Sequence, residues 1–180
     1  MLFILISPSN RIWADIVAAA LFLLAALTDL FDGMIARRNS MVTNFGKFLD
    51  PIADKLLISA SLVALIGSER FSYLRLILVI CTAIILLREF SITSIRLIAV
   101  KHDGTVIAAS KLGKLKTVMS VVCVMSVLLE PVIFAGDGFM GKIRDAHVLS
   151  IVTIVIMTLL TVLSGLNYIK KYFSYIDPTK

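Results

Sequence analysis

Residues 146–169, AHVLSIVTIVIMTLLTVLSGLNYI, decide the class of fold, because this stretch carries no Asp, Glu, Lys or Arg. It is long enough to cross a bilayer, whose hydrocarbon core takes about 20 residues of helix. The whole chain follows the same trend, since 59% of its 180 residues are hydrophobic and only 17% are charged. Soluble domains carry about 25% charged residues. The sequence therefore predicts an all-α, polytopic transmembrane helix bundle, with residues 1–180 in a single transmembrane domain.

Hydropathy divides the chain into five complete spans that follow an incomplete one. The first seven residues, MLFILIS, are typical of the end of a helix, and Pro8-Ser9-Asn10 closes it. The complete spans are predicted over residues 12–37, 45–67, 71–100, 111–134 and 146–170. Loops are predicted over residues 39–44, 68–70, 101–109 and 135–145. We therefore expect a bundle whose first helix is truncated in this chain.

The basic residues predict how the bundle sits in the membrane. One predicted face carries 13 of them, namely Arg37, Arg38, Lys47, Lys55, Arg88, Arg96, Lys101, Lys111, Lys114, Lys116, Lys170, Lys171 and Lys180. The other carries five, namely Arg11, Arg70, Arg75, Lys142 and Arg144. Because basic loops stay on the cytoplasmic side, the first face is predicted to be cytoplasmic in a multi-pass protein of the cell membrane. The net charge of +6 then suits anionic headgroups and phosphorylated substrates. No tract of alternating basic and aromatic residues indicates nucleic acid.

Two pairs of aspartates lie inside the predicted spans, in residues 28–55, TDLFDGMIARRNSMVTNFGKFLDPIADK. Asp29 and Asp32 are three residues apart, and Asp50 and Asp54 are four apart, so each pair lies on one face of its helix. The short loop between the two helices makes them antiparallel, which allows both pairs to meet at one depth. Four carboxylates in a pocket of low dielectric constant repel one another and resist ionisation. Two divalent cations would resolve this repulsion.

The ligand chemistry narrows the choice of metal. Ligation by oxygen alone favours Mg²⁺ or Mn²⁺ over zinc, and no His or Cys lies near the aspartates. Two metals held in this way are a known arrangement for displacement at phosphorus. The alternative is that the aspartates cap helices or pair with neighbouring basic residues, namely Arg37, Arg38, Lys47 and Lys55.

Small residues beside the first aspartate pair leave one helix face bare. Gly33 and Ala36 could serve close helix packing, which is the usual role of small residues in membranes. The same bareness would let a ligand lie against the backbone. Arg37, one turn from Asp32, could then donate a fork of hydrogen bonds to a diphosphate.

A second group of charges predicts a site for an anionic substrate. Arg88 and Arg96 lie about two helical turns apart in the fourth span, and three lysines begin the fifth, namely Lys111, Lys114 and Lys116. Together they would suit a dianionic phosphate such as that of sn-glycerol 3-phosphate. The alternative is that the lysines are anchors that reach the membrane interface. Glu89 could simply pair with an arginine.

The aspartates and their neighbours form the pattern Asp29-x2-Asp32-Gly33-x2-Ala36-Arg37-x8-Gly46-x3-Asp50-x3-Asp54. This pattern resembles the signature of the CDP-alcohol phosphatidyltransferase family. The downstream segments Arg88-Glu89-Phe90, with Thr93 and Arg96, and Gly113-Lys114-Leu115-Lys116-Thr117 resemble the branch whose acceptor is sn-glycerol 3-phosphate. The resemblance runs from about residue 12 to residue 172. It implies six transmembrane helices, a homodimer and a site open to the cytoplasm.

The resemblance also implies a role for each motif residue. Asp29, Asp32 and Asp50 would bind two divalent metals, and Asp54 would contact a metal and act as the catalytic base. Residues at the positions that contact the CDP-lipid would be Gly33, Ala36, Arg37, Thr43 and Gly46. The substrates would be CDP-diacylglycerol and sn-glycerol 3-phosphate, within a lipid membrane. The chain departs from the family where it starts, since members carry an amphipathic helix and a complete first span there.

Three other functions stay open from the sequence. The same chemistry could use another acceptor, such as inositol phosphate, serine or phosphatidylglycerol. The buried acids could instead belong to a cation transporter, although this leaves Gly33, Ala36 and Arg37 without a function. A membrane scaffold without catalytic activity is the third possibility.

Overall fold

The computed structural model describes residues 12–38, 44–103, 111–135, 141–142 and 146–172. Within these ranges the side chains of residues 29–30, 32–38, 44–54, 96–103, 111, 114 and 171–172 lie outside the description. The described chain is all-helical and contains five α-helices and one 3₁₀ helix. They are α1 (Ile12–Arg38), α2 (Asn44–Gly67), the 3₁₀ helix (Glu69–Leu74), α3 (Arg75–Asp103), α4 (Lys111–Ile133) and α5 (Val148–Tyr172). The predicted all-α class is confirmed.

The five α-helices correspond to the five complete spans predicted from hydropathy. The largest departure is at the fourth span, where a 3₁₀ helix precedes α3 and Phe71 has a non-helical backbone (φ −109°, ψ 25°). Phe71 and Leu74 are 1% and 2% exposed. Both side chains therefore pack inside the bundle. Hydropathy alone predicts Phe71 as the first residue of the fourth span. The predicted helix end at residues 1–7 lies outside the described residues.

The helices pack around a core of small and medium-sized side chains. The most extensive contact is between α4 and α5, and further contacts join α1 to α4, α3 to α5 and α2 to α3. The core contains Ala18 and Ala19 of α1, Cys123 and Val124 of α4, and Met157 of α5. Small residues allow helix backbones to approach closely, which is how membrane helices gain packing energy.

Large apolar side chains cover much of the outside of the bundle. Leu76 is 75% exposed, and Leu87 and Phe90 are each 69% exposed. Within the described residues, three helical segments are long and apolar enough to cross a membrane, namely Glu69–Ile95, Leu115–Ile133 and Val148–Lys170. Shorter apolar segments lie in the two other helices, at Ile12–Thr28 and Lys55–Gly67. An apolar exterior of this extent needs lipid to cover it, so the chain is a membrane protein.

Several hydroxyl groups within the helices donate to a carbonyl of their own helix, whereas Thr82 Oγ1 is buried without a partner among the described atoms. Ser61 donates to the carbonyl of Leu57 at 2.6 Å, and Thr161 donates to that of Met157 at 2.7 Å. Such bonds to the preceding turn satisfy a hydroxyl where water is absent. Between helices, Ser126 of α4 and Thr153 of α5 lie 2.6 Å apart, oxygen to oxygen. These bonded hydroxyl groups are therefore compatible with a lipid environment.

Candidate functional site

The four motif aspartates lie on two helices that contact each other. Asp29 and Asp32 belong to α1, and Asp50 and Asp54 belong to α2. Because the backbone is helical at all four positions, the spacings of three and four residues place each pair on one helix face. Their side chains lie outside the described part of the structure. Metal binding by these residues therefore stays a prediction.

The donor set nevertheless fits a hard divalent cation. Neither α1 nor α2 contains a Cys or a His, so both helices offer oxygen ligands only. Among the side chains that the structure describes, no group of three or more Asp, Glu, His or Cys residues could hold a metal. The aspartate motif is thus the candidate metal centre.

The residues predicted to contact the CDP-lipid are also divided between α1 and α2. Gly33, Ala36 and Arg37 lie in the last part of α1, and Gly46 lies at the start of α2. Thr43 lies outside the described residues. The helical backbone keeps Gly33 and Arg37 one turn apart on α1, as the sequence predicted, and their contacts with a ligand remain a prediction.

A cluster of charged side chains joins four helices beside the aspartate motif. We call it the basic cluster, and its members are Lys55 of α2, Arg88, Glu89 and Thr93 of α3, Lys116 of α4 and Ser164 of α5. Arg88 donates from Nη1 to Glu89 Oε1 at 2.9 Å and from Nη2 to Ser164 Oγ at 2.8 Å. Lys116 donates from Nζ to the same Glu89 oxygen. One carboxylate oxygen is therefore shared by two cations.

Burial makes these contacts strong. The side chains of Arg88, Glu89 and Lys116 are 15%, 13% and 12% exposed. Ion pairs and charged hydrogen bonds gain strength where water and its high dielectric constant are excluded. A buried charge that loses its partner is correspondingly costly, at about 3–5 kcal/mol. The three side chains therefore depend on one another.

The backbone of α5 fixes where the Arg88 side chain runs. A Cβ atom placed on Gly165 would lie 3.0 Å from Arg88 Cγ and 3.7 Å from Nε. Glycine at this position therefore lets the arginine lie against the helix. Nε of Arg88 is buried and has no hydrogen-bond partner among the described atoms.

Lys55 links the basic cluster to the aspartate motif. It follows Asp54 directly in α2, and its Nζ donates to Thr93 Oγ1 of α3. Thr93 in turn donates to the backbone carbonyl of Glu89 at 2.7 Å. The basic cluster therefore reaches α2 at the residue that follows Asp54 in the sequence.

The structure brings together two of the five residues predicted to bind the acceptor phosphate, Arg88 and Lys116. Arg96 lies in α3, and Lys111 and Lys114 lie in α4, but their side chains fall outside the description. Sequence reasoning missed Lys55 and Ser164 as members of the cluster. Two signals could have found them: Lys55 directly follows a motif aspartate, and Ser164 precedes the only glycine in residues 146–169.

A family model provides an independent comparison. The model for CDP-alcohol phosphatidyltransferases matches residues 1–166. The match includes all four aspartates, together with Arg88, Glu89, Lys116 and Ser164 of the basic cluster. The chain belongs to the CDP-alcohol phosphatidyltransferase family, whose members use divalent metal ions.

Curated relatives come from several bacteria. A CDP-diacylglycerol–glycerol-3-phosphate 3-phosphatidyltransferase of Bacillus subtilis is 41% identical over 126 residues, which cover 70% of this chain and 62% of that protein. A probable phosphatidylglycerophosphate synthase of Mycobacterium tuberculosis is 37% identical over 158 residues, covering 88% of this chain and 66% of the relative. A Rickettsia felis protein named like the first is 34% identical, covering 91% of this chain and 84% of its own length. The chain thus spans less than two thirds of the first two relatives.

Proposed function

We propose that this protein transfers the phosphatidyl group of CDP-diacylglycerol to sn-glycerol 3-phosphate, giving phosphatidylglycerophosphate and CMP. The observation that supports the proposal is the bond from Lys55 to Thr93, because Lys55 follows Asp54 in α2 and Thr93 lies on the helix that carries Arg88. Lys55, Arg88 and Lys116 can neutralise a phosphate, while the neighbouring aspartates act on a second phosphate group. One site therefore suits a phosphorylated alcohol and a diphosphate-linked lipid together.

The chemistry requires one displacement at phosphorus. The free hydroxyl oxygen of the acceptor attacks the lipid-side phosphorus of CDP-diacylglycerol and forms a new phosphorus–oxygen bond. The bond between that phosphorus and the bridging oxygen breaks, and CMP leaves with the electron pair. Asp54 takes the hydroxyl proton. Positioning and charge stabilisation account for most catalysis of this kind, so no covalent intermediate with the protein is required.

The remaining motif residues bind and orient the nucleotide lipid. Two divalent ions, Mg²⁺ or Mn²⁺, held by Asp29, Asp32, Asp50 and Asp54, would neutralise charge on the phosphates when bound. Arg37 would donate to the diphosphate, and the bare surface of Gly33, Ala36 and Gly46 would let the CDP group lie against the helices. Thr43 would complete this contact from the loop.

The names of the relatives support the choice of acceptor. Relatives from Bacillus subtilis and Rickettsia felis are both named as glycerol-3-phosphate phosphatidyltransferases. The basic cluster agrees with such an acceptor, because two buried cations, Arg88 and Lys116, share one carboxylate. An acceptor without net charge, such as serine, would add no negative charge to balance them.

The proposal includes a location. The excess of basic residues on the face that carries the site favours a multi-pass protein of the cell membrane with its site open to the cytoplasm. The substrates agree with this placement, because sn-glycerol 3-phosphate is soluble whereas CDP-diacylglycerol is held in the lipid. A homodimer, which the family resemblance implies, is part of the same proposal.

The direct test is CMP release by the purified chain in lipid bilayers that contain CDP-diacylglycerol. We expect release with sn-glycerol 3-phosphate and Mg²⁺ or Mn²⁺, and no release after chelation of the metal. Asp50→Asn should abolish release, because it removes a metal ligand. Glu69→Gln is the matched control, because Glu69 is an exposed carboxylate that pairs with Arg75 at the start of α3.

The alternatives predict other outcomes. A preference for inositol phosphate, serine or phosphatidylglycerol would overturn the choice of acceptor. Metal-ion flux into liposomes without CMP release would favour a transporter. A chain that folds but neither releases CMP nor moves ions would be a scaffold.

A further inference from the structure

The basic cluster already contains an anion at the point where its cations meet. Glu89 Oε1 accepts from Arg88 Nη1 at 2.9 Å and from Lys116 Nζ. Lys55 contacts the same helix as Glu89 through the Thr93 hydroxyl. A phosphate that bound to Arg88 and Lys116 would need the positions that this carboxylate now occupies.

Both terminal nitrogens of Arg88 already have a partner while these contacts persist. Nη1 donates to Glu89, and Nη2 donates to Ser164 on α5. The backbone at Gly165 lies against the stem of the same side chain. A phosphate that binds both terminal nitrogens therefore competes with the Glu89 carboxylate for Nη1.

We propose that Glu89 is an internal stand-in for the acceptor phosphate and thereby determines the specificity of the site. This inference rests on the proposed function. Without an acceptor, the carboxylate keeps Arg88 and Lys116 paired, which avoids the cost of buried and unpaired cations. When a phosphorylated acceptor arrives, its phosphate takes over both cations. The carboxylate then keeps weaker contacts.

The charge of the cluster decides which ligands can make this exchange. Two buried cations, Arg88 and Lys116, pair with the single carboxylate of Glu89. A phosphate monoester carries about 1.5 to 2 negative charges at neutral pH, so it neutralises these two cations more fully than one carboxylate does. A monoanion carries no more charge than Glu89 itself and gains little by replacing it. An uncharged alcohol cannot replace it at all.

The test compares Glu89→Gln with the unchanged chain in binding experiments. The probes are inorganic phosphate and acetate, added to the purified protein in detergent micelles without CDP-diacylglycerol. Glutamine keeps the size of the side chain but removes the competing charge, so we expect phosphate to bind about tenfold more tightly or better. Acetate, which should hardly bind the unchanged chain, should bind the variant. The midpoint of thermal unfolding without anions should fall, and phosphate should restore it.

The matched control is Glu69→Gln, which removes an exposed carboxylate from the same protein. Its phosphate affinity and unfolding midpoint should equal those of the unchanged chain. Phosphate binding by Glu89→Gln that is equal to or weaker than that of the unchanged chain would overturn the proposal, because Glu89 would then only position its neighbours. Should Glu89→Gln fail to fold, infrared difference spectra of the unchanged chain decide. Phosphate should shift a carboxylate stretching band, and no shift would overturn the proposal.

Failure of this inference and failure of the proposed function give different results. CMP release with sn-glycerol 3-phosphate, together with unchanged phosphate affinity in Glu89→Gln, would support the proposed reaction and contradict the proposed role of Glu89. Tighter phosphate binding by Glu89→Gln in a protein that releases no CMP would retain the stand-in and discard the reaction.

Discussion

At the scale of single residues, the proposed site depends on a glycine, which has no side chain to offer. Gly165 lies in α5, where alanine would ordinarily favour the helix by about 1 kcal/mol. Here a side chain at position 165 would meet the stem of Arg88, since its Cβ would be 3.0 Å from Cγ. Arg88 is held at its far end by Glu89 and Ser164, so it cannot move away without losing a contact.

We therefore expect Gly165→Val to act on the proposed acceptor site. The two branches of valine should displace Arg88, lower the stability by about 1–3 kcal/mol and raise the KM for sn-glycerol 3-phosphate several-fold. The measurements are CMP release kinetics and thermal unfolding in detergent. Leu163→Val is the control, because Leu163 lies on the same helix and is 53% exposed. An unchanged KM in Gly165→Val would show that the position of Arg88 is not critical.

At the scale of helices, α5 begins against a buried carboxylate of α4. Glu130 is 1% exposed. Its two oxygens accept from the backbone N–H groups of Leu149 at 2.8 Å and Ser150 at 3.0 Å, and the Ser150 hydroxyl donates to it as well. The first N–H groups of a helix lack partners within it, and the helix dipole favours a negative charge there. One side chain of α4 thus caps another helix.

The prediction for this contact concerns stability. Glu130→Gln keeps one acceptor oxygen but removes the charge, which should lower the free energy of unfolding by about 1–3 kcal/mol. Hydrogen exchange should accelerate at the amides of Leu149 and Ser150. CMP release at low temperature should remain, since Glu130 lies at the opposite end of α4 from Lys116. An unfolding free energy equal to that of the unchanged chain would contradict the role as a cap.

The helices themselves could be predicted from sequence, whereas their polar contacts could not. Runs of apolar residues of bilayer length fix where helices occur, and this signal is local. The 3₁₀ helix was missed because burial of Phe71 depends on neighbours that are distant in the chain. Arg88 and Lys116 were recognised as basic residues in one predicted region. That both donate to a single oxygen of Glu89 follows from the tertiary arrangement of the helices, which no local pattern contains.

At the scale of the whole molecule, a buried ion pair fastens α1 to the connection between α2 and α3. Arg70 donates to Asp15, and their side chains are 12% and 3% exposed. Close to it in sequence, Arg75 and Glu69 lie 3.3 Å apart with side chains 44% and 85% exposed. Two pairs of arginine and carboxylate therefore lie close to each other in the sequence, and one pair is buried while the other is exposed.

These two pairs should differ sharply in their effect on folding. Asp15→Asn removes the charged half of a buried ion pair and should lower the stability by about 3–5 kcal/mol, while Glu69→Gln should cost less than about 1 kcal/mol. Replacing both Asp15 and Arg70 by apolar residues should recover most of the loss. Unfolding in mixed micelles measures all three effects. Equal losses for Asp15→Asn and Glu69→Gln would contradict this assignment.

The length of α5 carries a consequence for the membrane around the protein. Its apolar segment, Val148–Lys170, has 23 residues. At about 1.5 Å per residue this is roughly 34 Å, which exceeds a hydrocarbon core of about 30 Å. Such hydrophobic mismatch is relieved by tilt of the helix or by local thickening of the lipid. Because Glu130 holds one end of α5, tilt moves mainly the other end, where Ser164 contacts Arg88. We expect the KM for sn-glycerol 3-phosphate to rise in bilayers of short-chain lipids, so that membrane thickness itself tunes the synthesis of membrane lipid.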